Sequence, residues 1–509
     1  MSDESQPDKA PENVAWTMEA SDPAQVHEAA MAALERGEMN EAGRLYTSLV
    51  KRDPEDFRAR FYLAQVYLNR NDHYDAVHHF EYASRLNPGS SEVLMLLAST
   101  RRIVGDIAGA VEAANAACDA RPDSVTPWML YGELLEAAHR LDDADAAFAR
   151  GAEIEPGHVE LAARWSRVRR RQQDIDGALE LLDRVTVDDA TPPAQAYAYL
   201  KERANVLDRL GDADGAFAAA QQANARAPQL QRYATINRQS LPSNMTAMED
   251  ARWDLATAAA SQRQGDKPVP PFAFVVGLPR SGTTMLGQVL AGHPDVITLD
   301  EEPLLHKALT EIGRQLKLTL PQVLAQVPML DAYAIGMMRQ IYAQIVLHRR
   351  PESADAALII DKNPINIIYT PILNILFPEA QIIASRRDIR DVCLSCFLRA
   401  FTINGLTIHF QDWQETAQML ARLTSIWEKH RSAITIPVHD VVYEDLVQNF
   451  EPHARALFEG LGVPWHDDVL SFSKAARADD TSAWLEAQTA LVASVRVNMM
   501  MVVGSSSSS

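Results

Sequence analysis

Cysteine is scarce in this sequence. Only Cys118, Cys393 and Cys396 occur among 509 residues, which excludes a disulfide-stapled scaffold and is typical of proteins from a reducing compartment. Cys393 and Cys396 form a C-x-x-C pair, but no second pair of cysteines or histidines at the spacing of a zinc site accompanies them. We interpret them as helix-packing residues. The 14 histidines form no HExxH motif, so we expect no metal site.

Basic residues are fewer than acidic residues in this sequence. The chain has 48 Lys and Arg against 68 Asp and Glu, a formal net charge of −20. This argues against a nucleic-acid partner or a broad surface for anionic membranes, but it allows one basic pocket for a small anion. No apolar run is long enough to span a bilayer, and the start, "MSDESQPDKAPENVAW", is polar and acidic, unlike a signal peptide. We therefore expect a cytoplasmic protein.

The first half of the chain repeats itself at an interval of 34 residues. Prolines recur with this step at Pro54, Pro88, Pro122 and Pro156. Alanines recur with the same step at Ala42, Ala76, Ala110, Ala144 and Ala178. This interval resembles that of the tetratricopeptide repeat, a helix pair whose small residues let neighbouring helices approach and whose proline follows the second helix. About six units fit between Pro23 and Pro228, and the fifth is looser.

The pattern changes at Phe272. Short apolar segments then alternate with helical stretches, which predicts a mainly parallel α/β sheet with ligands at the carboxyl ends of its strands. The strand candidates are "FAFVVGL", "DVITL", "ALIID" and "AQIIAS". The predicted organisation is a disordered segment at 1–22, an all-α solenoid of repeats at 23–230, a connector at 231–270 with a helix near Met248 to Ser261, an α/β domain at 271–497 and a flexible tail at 498–509.

The first strand runs into a glycine-rich loop, "GLPRSGTTML". Its glycines, Gly277 and Gly282, have the spacing of a nucleotide phosphate loop, but Thr283 stands where such a loop has its lysine. Backbone N–H groups and the start of the following helix would still attract an anion, with the Thr283 and Thr284 hydroxyls as further donors. Without the lysine and without an evident metal-binding aspartate, a kinase is the weaker alternative.

This loop resembles the 5′-phosphosulfate-binding loop of the sulfotransferases. "PRSGTT", with its arginine, is similar to the tyrosylprotein sulfotransferase branch and to bacterial proteins that join such a domain to tetratricopeptide repeats. The resemblance implies a P-loop-like domain and 3′-phosphoadenylyl sulfate (PAPS) as donor, without a metal. It assigns donor binding to the loop residues Arg280, Ser281, Gly282, Thr283 and Thr284. Arg280 is also expected to take part in catalysis.

A donor with a 3′-phosphate needs a second anion site. "QIIASRRDIRDVCLSCF" places Arg387 at a strand end and Ser395 eight positions later in a helix, a combination suited to phosphate. The segment resembles the 3′-phosphate motif of the same family. We expect Arg387 to be an exposed strand-end residue that contributes little to stability, and the adjacent Arg386 is the second choice.

Three more residues are assigned through the resemblance. Lys362, after the strand "ALIID", is expected to stabilise charge on the oxygen that links sulfate to its leaving group. The family's catalytic glutamate follows the second strand, which gives Glu301 as the base, with Glu302 as an open alternative. Tyr443, in "VVYEDL", is expected to line the nucleotide pocket.

The resemblance weakens near the end of the chain. Family members carry a basic residue, a proline and an aromatic residue there, but the corresponding positions hold Gln488, Ala490 and Val492. The predicted function is transfer of a sulfuryl group from PAPS to a hydroxyl, which in this family can be a protein tyrosine. The alternative is a non-catalytic adaptor in which the repeats bind a peptide.

The repeats are expected to dock a protein or peptide that carries the acceptor hydroxyl. "RWSRVRRRQQ", residues 164–173, places several arginines on one repeat. They either line the groove and attract an acidic segment, or are an ordinary charged helix surface. If the repeats only dock the acceptor, a chain that starts near Gln264 should keep its donor binding.

Overall fold

The computed structural model describes residues 22–253, 269–299, 301, 303–350, 353 and 356–471. The chain divides into two compact units, Met1–Asp188 and Asp189–Ser509. The predicted tail at 498–509, and the predicted disordered start up to residue 21, lie outside the described residues.

The described part of the first unit consists of helices arranged as consecutive antiparallel pairs. They are α1 (Pro23–Glu35), α2 (Met39–Arg52), α3 (Phe57–Asn69), α4 (His73–Leu86), α5 (Ser91–Ile103), α6 (Ile107–Ala120), α7 (Val125–Ala137), α8 (Leu141–Ile154), α9 (Val159–Arg171) and α10 (Ile175–Asp183). Each helix packs on the next one along the chain, as expected for a solenoid.

Each 34-residue interval corresponds to one pair of helices, as predicted. The recurring alanines lie on the second helix of each pair and are fully buried, because a larger side chain would push the neighbouring helix away. The recurring prolines lie two positions beyond the end of α2, α4, α6 and α8, where a missing backbone N–H costs nothing. The shorter α10 and the loop after it account for the looser fifth unit.

The second unit begins with a helix pair at the sequence position of the predicted sixth repeat. Its first helices are α11 (Pro193–Leu210), α12 (Ala213–Arg226), α13 (Gln231–Thr235) and α14 (Ser240–Asp250), with a 3₁₀ turn at Ala227–Gln229. The pair α11–α12 thus belongs to the compact unit that contains the sheet. The connector helix starts at Ser240, before its predicted position, and residues 254–261 of that prediction lie outside the described residues.

A five-stranded parallel sheet forms the centre of the second unit, as predicted. Its strands are β1 (Phe272–Gly277), β2 (Val296–Leu299), β3 (Leu358–Lys362), β4 (Gln381–Arg386) and β5 (Val438–Val442), in the order β2-β3-β1-β4-β5. Phe272 is paired with Ile359 on β3, and Val275 with Ile383 on β4. The carboxyl end of β1 therefore lies between those of β3 and β4, where a parallel sheet binds its ligands.

Helices cover both faces of this sheet. They are α15 (Thr283–Ala291), α16 (Leu304–Leu316), α17 (Leu320–Gln326), α18 (Ala332–Arg349), α19 (Thr370–Leu376), α20 (Ile389–Leu398), α21 (Trp413–Arg431), α22 (Tyr443–Gln448) and α23 (Phe450–Leu461), with 3₁₀ turns at Val327–Met329, Pro364–Tyr369 and Thr407–Phe410. Alternate residues of β1 face opposite cores, Phe272 and Phe274 on one side and Ala273 and Val275 on the other. This explains why the strands are continuous apolar runs.

All three cysteines are buried free thiols. Burial raises the pKa of Cys393 to about 12, which suits a packing role. Within the described residues, no helix combines the length and the apolarity needed to cross a bilayer. The cytoplasmic location stays a prediction.

Candidate functional site

The loop after β1 folds around two residues with left-handed backbone conformations. Arg280 has φ 65° and Gly282 has φ 95°. A Cβ atom on Gly282 would lie 2.3 Å from Cδ2 of Tyr443, so this position requires glycine for space as well as for its φ angle. A left-handed arginine costs about 1–3 kcal/mol, a strain that folded proteins tend to keep at functional sites.

The Arg280 side chain is fixed by a hydrogen bond to α20. Its Nε donates a hydrogen bond to Oγ of Ser395 over 3.1 Å, and Ser395 is buried on α20. Burial, with Arg387 nearby, lowers the pKa of the Arg280 guanidinium, although an arginine stays charged at neutral pH. A desolvated cation of this kind favours an anion beside it.

Ser281 stabilises the loop through hydrogen bonds within the loop and to β4. Its hydroxyl donates to the carbonyl oxygen of Leu278 over 2.7 Å, and its own carbonyl accepts from the Ser385 hydroxyl over 2.8 Å. Cys396 is 3.8 Å from the carbonyl oxygen of Pro279. Ser281 is buried beneath the cavity described below and is absent from its lining.

Arg387 is also buried, which corrects the expectation of an exposed strand-end arginine. Its side chain is 3% exposed, and Nη1 donates to the carbonyl oxygen of Arg280 over 3.2 Å. Asp391 lies 3.7 Å from its Nη2, and the guanidinium carbon lies 4.6 Å from the centre of the Tyr443 ring. Replacing it would therefore disturb the loop as well as any ligand. Arg386 has a half-exposed side chain that faces Asp440.

Lys362 and Glu301 meet at the ends of β3 and β2. Nζ of Lys362 donates to Oε1 of Glu301 over 3.0 Å. The lysine stem crosses Gly287 of α15, where a Cβ atom would lie 2.5 Å from its Cδ. The lysine side chain is 12% exposed and the glutamate side chain 50% exposed, so the carboxylate remains accessible to an incoming group. Glu302 lies outside the described residues.

A buried carboxyl group precedes Lys362 on β3. Asp361 is fully buried; its Oδ2 accepts from Tyr342 and lies 3.4 Å from Nδ2 of Asn366, while Oδ1 has no hydrogen-bond partner among the described residues. Burial raises the pKa of Asp361 to about 6. Successive strand residues point to opposite faces, so Asp361 fixes the turn after β3 while Lys362 extends past Gly287 towards Glu301.

One cavity of about 730 Å³ brings most of the predicted residues together. Its lining includes Arg280, Gly282, Thr283, Thr284, Glu301, Arg387 and Tyr443. Lys362 and Ser395 lie just behind this lining, where they hold Glu301 and Arg280.

Another part of the cavity lining was not predicted from the sequence. It is formed by Ser240, Leu241 and Asn244 of α14, by His306 of α16, and by Phe401, Asn404, Leu406 and Thr407 between α20 and α21. Burial lowers the pKa of His306, so its imidazole is neutral at pH 7. Only its proximity to the predicted base could have indicated His306, and nothing in the sequence pattern indicated the other residues.

The described residues contain no cluster of three or more side chains that could hold a metal ion. Gln488, Ala490 and Val492, where the family resemblance fails, lie outside the described residues.

The arginines of residues 164–173 are paired with carboxylates of the repeats themselves. Arg167 and Arg171 both bind Glu136, and Arg169 binds Asp145 and Asp174. These ion pairs favour the interpretation of a charged helix surface, because the positive charge is already matched within the repeats.

Residues 271–467 match the sulfotransferase family, and residues 27–91 and 63–125 match the tetratricopeptide repeat. The chain is similar to protein-tyrosine sulfotransferase 2 of Gallus gallus, with 29% identity over 39% of this chain and 53% of that protein. It is also similar to protein-tyrosine sulfotransferase 1 of Danio rerio, with 30% identity over 39% of this chain and 55% of that protein. The chain thus spans about half the length of these relatives.

Among solved structures, a crystal structure of the MamA protein is similar over 32% of this chain and 88% of its own, with 17% identity and a TM-score of 0.31. The predicted order of domains is confirmed by the two family matches. A match to tetratricopeptide repeats in the N-terminal part is therefore followed by a match to the sulfotransferase family over residues 271–467.

Proposed function

We propose that the second unit transfers a sulfuryl group from PAPS to a hydroxyl group without a metal ion. One observation carries this proposal. The Lys362–Glu301 pair lies at the edge of the cavity whose lining also includes the cations Arg280 and Arg387. A general base, a charge-stabilising lysine and two phosphate-binding arginines are the groups that such a transfer requires.

The residues present fit a donor with two anionic ends. The loop of residues 277–282 and the start of α15 provide backbone N–H groups and threonine hydroxyls for the phosphosulfate end. Arg387 and Ser395 would hold the 3′-phosphate, with Tyr443 beside the nucleotide. The Tyr443 ring packs directly against Gly282, so it can form one wall of the nucleotide site.

The donor supplies an activated sulfuryl group, whose sulfur bonds to the acceptor oxygen as its bond to the phosphate oxygen breaks, releasing 3′-phosphoadenosine 5′-phosphate. Glu301 accepts the proton of the acceptor hydroxyl, and its accessible carboxylate allows this approach. Lys362 offsets negative charge near the departing oxygen. A positioned base of this kind accelerates proton transfer by about 10²–10⁴-fold.

The acceptor is proposed to be a hydroxyl of a protein or peptide, with tyrosine as the first candidate. This rests on the relatives, which are named protein-tyrosine sulfotransferases, and on the repeats, an architecture that often binds peptides. The cavity lining offers apolar contacts for an aromatic ring, from Leu241, Phe401 and Leu406.

The test uses the full chain in the presence of EDTA. Titration with 3′-phosphoadenosine 5′-phosphate should give saturable binding that is unchanged by the chelator. Incubation with PAPS and tyrosine peptides, a simple phenol and a sugar alcohol should then add a sulfuryl group to at least one acceptor, detected by mass. Absence of nucleotide binding would contradict the proposed donor. Binding without any transfer would favour an adaptor.

A further inference from the structure

One of the last carbonyl groups of α20, that of Phe397, accepts hydrogen bonds from a helix pair that precedes the sheet in the chain. Nζ of Lys201, on α11, donates to the carbonyl oxygen of Phe397 over 2.7 Å. Nδ2 of Asn224, on α12, lies 3.3 Å from the same oxygen. The last carbonyls of a helix have no partner within the helix, and a cation is the preferred donor there because of the helix dipole.

Lys201 is unusual because it is almost completely buried. It is 1% exposed, and burial with Arg399 nearby lowers its pKa to about 7. A buried lysine is costly unless its hydrogen bonds are made, and the amino group can donate to Phe397 in either charge state. The position therefore selects a long side chain with a donor at its end.

Apolar contacts surround this polar connection. The Phe217 ring of α12 stacks on Phe397 with 5.0 Å between ring centres and meets Trp413 edge-on at 5.5 Å. Arg399, just after α20, donates to Asn205 and pairs with Asp208 of α11. The carboxyl end of α20 is thus fixed by α11 and α12 through several independent contacts.

The same short helix holds the cations of the candidate site. Ser395 accepts from Arg280, and Asp391 pairs with Arg387. Only one residue separates Ser395 from Phe397, so the donors that fix Phe397 also restrict the position of the Ser395 hydroxyl.

We propose that Lys201 and Asn224 are positioning residues for the donor site: by binding the Phe397 carbonyl they set the place of Ser395 beside Arg280. In this view the sixth helix pair is a structural part of the sulfotransferase-family domain in addition to being a repeat. The inference rests on the proposed donor, because Ser395 matters to ligand binding only if the 3′-phosphate binds there.

The test compares two nucleotides on the full chain. The readout is the ratio of the Kd for adenosine 5′-monophosphate to the Kd for 3′-phosphoadenosine 5′-phosphate, which reports recognition of the 3′-phosphate alone. Lys201→Met and Asn224→Leu each remove one donor to Phe397 and nearly keep the side-chain volume. We expect each to lower this ratio, Lys201→Met by about tenfold, the effect of one lost charge-assisted hydrogen bond.

Leu207→Ala serves as the matched control. Leu207 packs in the same apolar cluster of α11, α12 and α20, so this variant loosens the helix pair and leaves both donors in place. A lowered ratio in Lys201→Met or Asn224→Leu, with the wild-type ratio in Leu207→Ala, supports positioning. The proposal is overturned if both donor variants keep the wild-type ratio, or if Leu207→Ala lowers it equally. A wild-type protein with no preference for the 3′-phosphate would instead contradict the proposed donor.

Discussion

Nε of Arg280 donates to Oγ of Ser395 over 3.1 Å, joining two residues that are 115 positions apart. The bond connects the loop after β1 to α20, where Ser395 is buried and Arg280 is partly buried. It holds the guanidinium towards the cavity that Arg387 also lines. The predicted phosphosulfate and 3′-phosphate motifs are therefore one connected structure.

Ser395→Ala should weaken binding of 3′-phosphoadenosine 5′-phosphate. The variant removes the hydroxyl that holds Arg280 and that is proposed to bind the 3′-phosphate. We expect a loss of about 1.5–3 kcal/mol in binding free energy, as for hydrogen bonds to charged groups, measured by calorimetric titration. Binding of adenosine 5′-monophosphate should change much less.

Ser432→Ala is the matched control for this substitution, because the Ser432 hydroxyl is exposed and bonds only locally, to the carbonyl oxygen of Lys429. Its affinity should equal that of the wild type. Equal affinities in all three proteins would exclude Ser395 from the donor site.

Asp361→Asn should change how stability depends on pH. Burial raises the pKa of this carboxyl in the folded protein to about 6 from its ordinary 3.8, so between these values the folded state binds more protons than the unfolded state. The contribution of Asp361 is fully present below pH 3.8 and is lost as the pH rises through 6. Urea unfolding at pH 4, 5, 6 and 7 should show the wild type losing stability relative to the variant up to about pH 6. A difference that is constant over this range would rule out the raised pKa.

A chain that starts at Asp189 should fold and bind 3′-phosphoadenosine 5′-phosphate, whereas one that starts near Gln264 should not. The shorter chain loses the contacts of Lys201 and Asn224 with Phe397, and the ion pair of Glu249 with Arg422. This revises the expectation that the domain beginning near Gln264 keeps donor binding. Thermal unfolding and titration of the two chains check the prediction. Equal binding by both would mean that residues 189–263 do not support the site.

Much of the fold could be predicted because the patterns are local. The 34-residue interval predicted the helix pairs, and the four apolar segments match β1 to β4 within one residue at each end. Gly282 and Arg280 could be placed in the loop because a phosphate loop is a continuous segment. The burial of Arg387 could not be predicted, since it arises from Tyr443 and the carbonyl group of Arg280, which the fold brings to it.

The part of the cavity lining that includes Leu241, Asn244 and Phe401 could not be predicted for the same reason. Leu241 and Asn244 lie in what reads as a connector, and Phe401 lies in an irregular segment, so no periodicity marks them. The contact of Lys201 with Phe397 could not be predicted either, because a lysine on a helix is ordinarily an exposed residue. Such residues acquire a function only through contacts between segments that are distant in sequence.

The proposed role of Glu301 is that of the base in a sulfuryl transfer that the domain carries out. Its most direct test measures PAPS-dependent sulfation of a tyrosine peptide, by mass, together with the Kd of 3′-phosphoadenosine 5′-phosphate, for the wild type, Glu301→Gln and Glu302→Gln. The amide keeps the shape of Glu301 and removes its basicity. We predict that Glu301→Gln binds the nucleotide like the wild type and transfers about 10²–10⁴-fold more slowly, while Glu302→Gln stays active. An active Glu301→Gln beside an inactive Glu302→Gln would contradict this assignment.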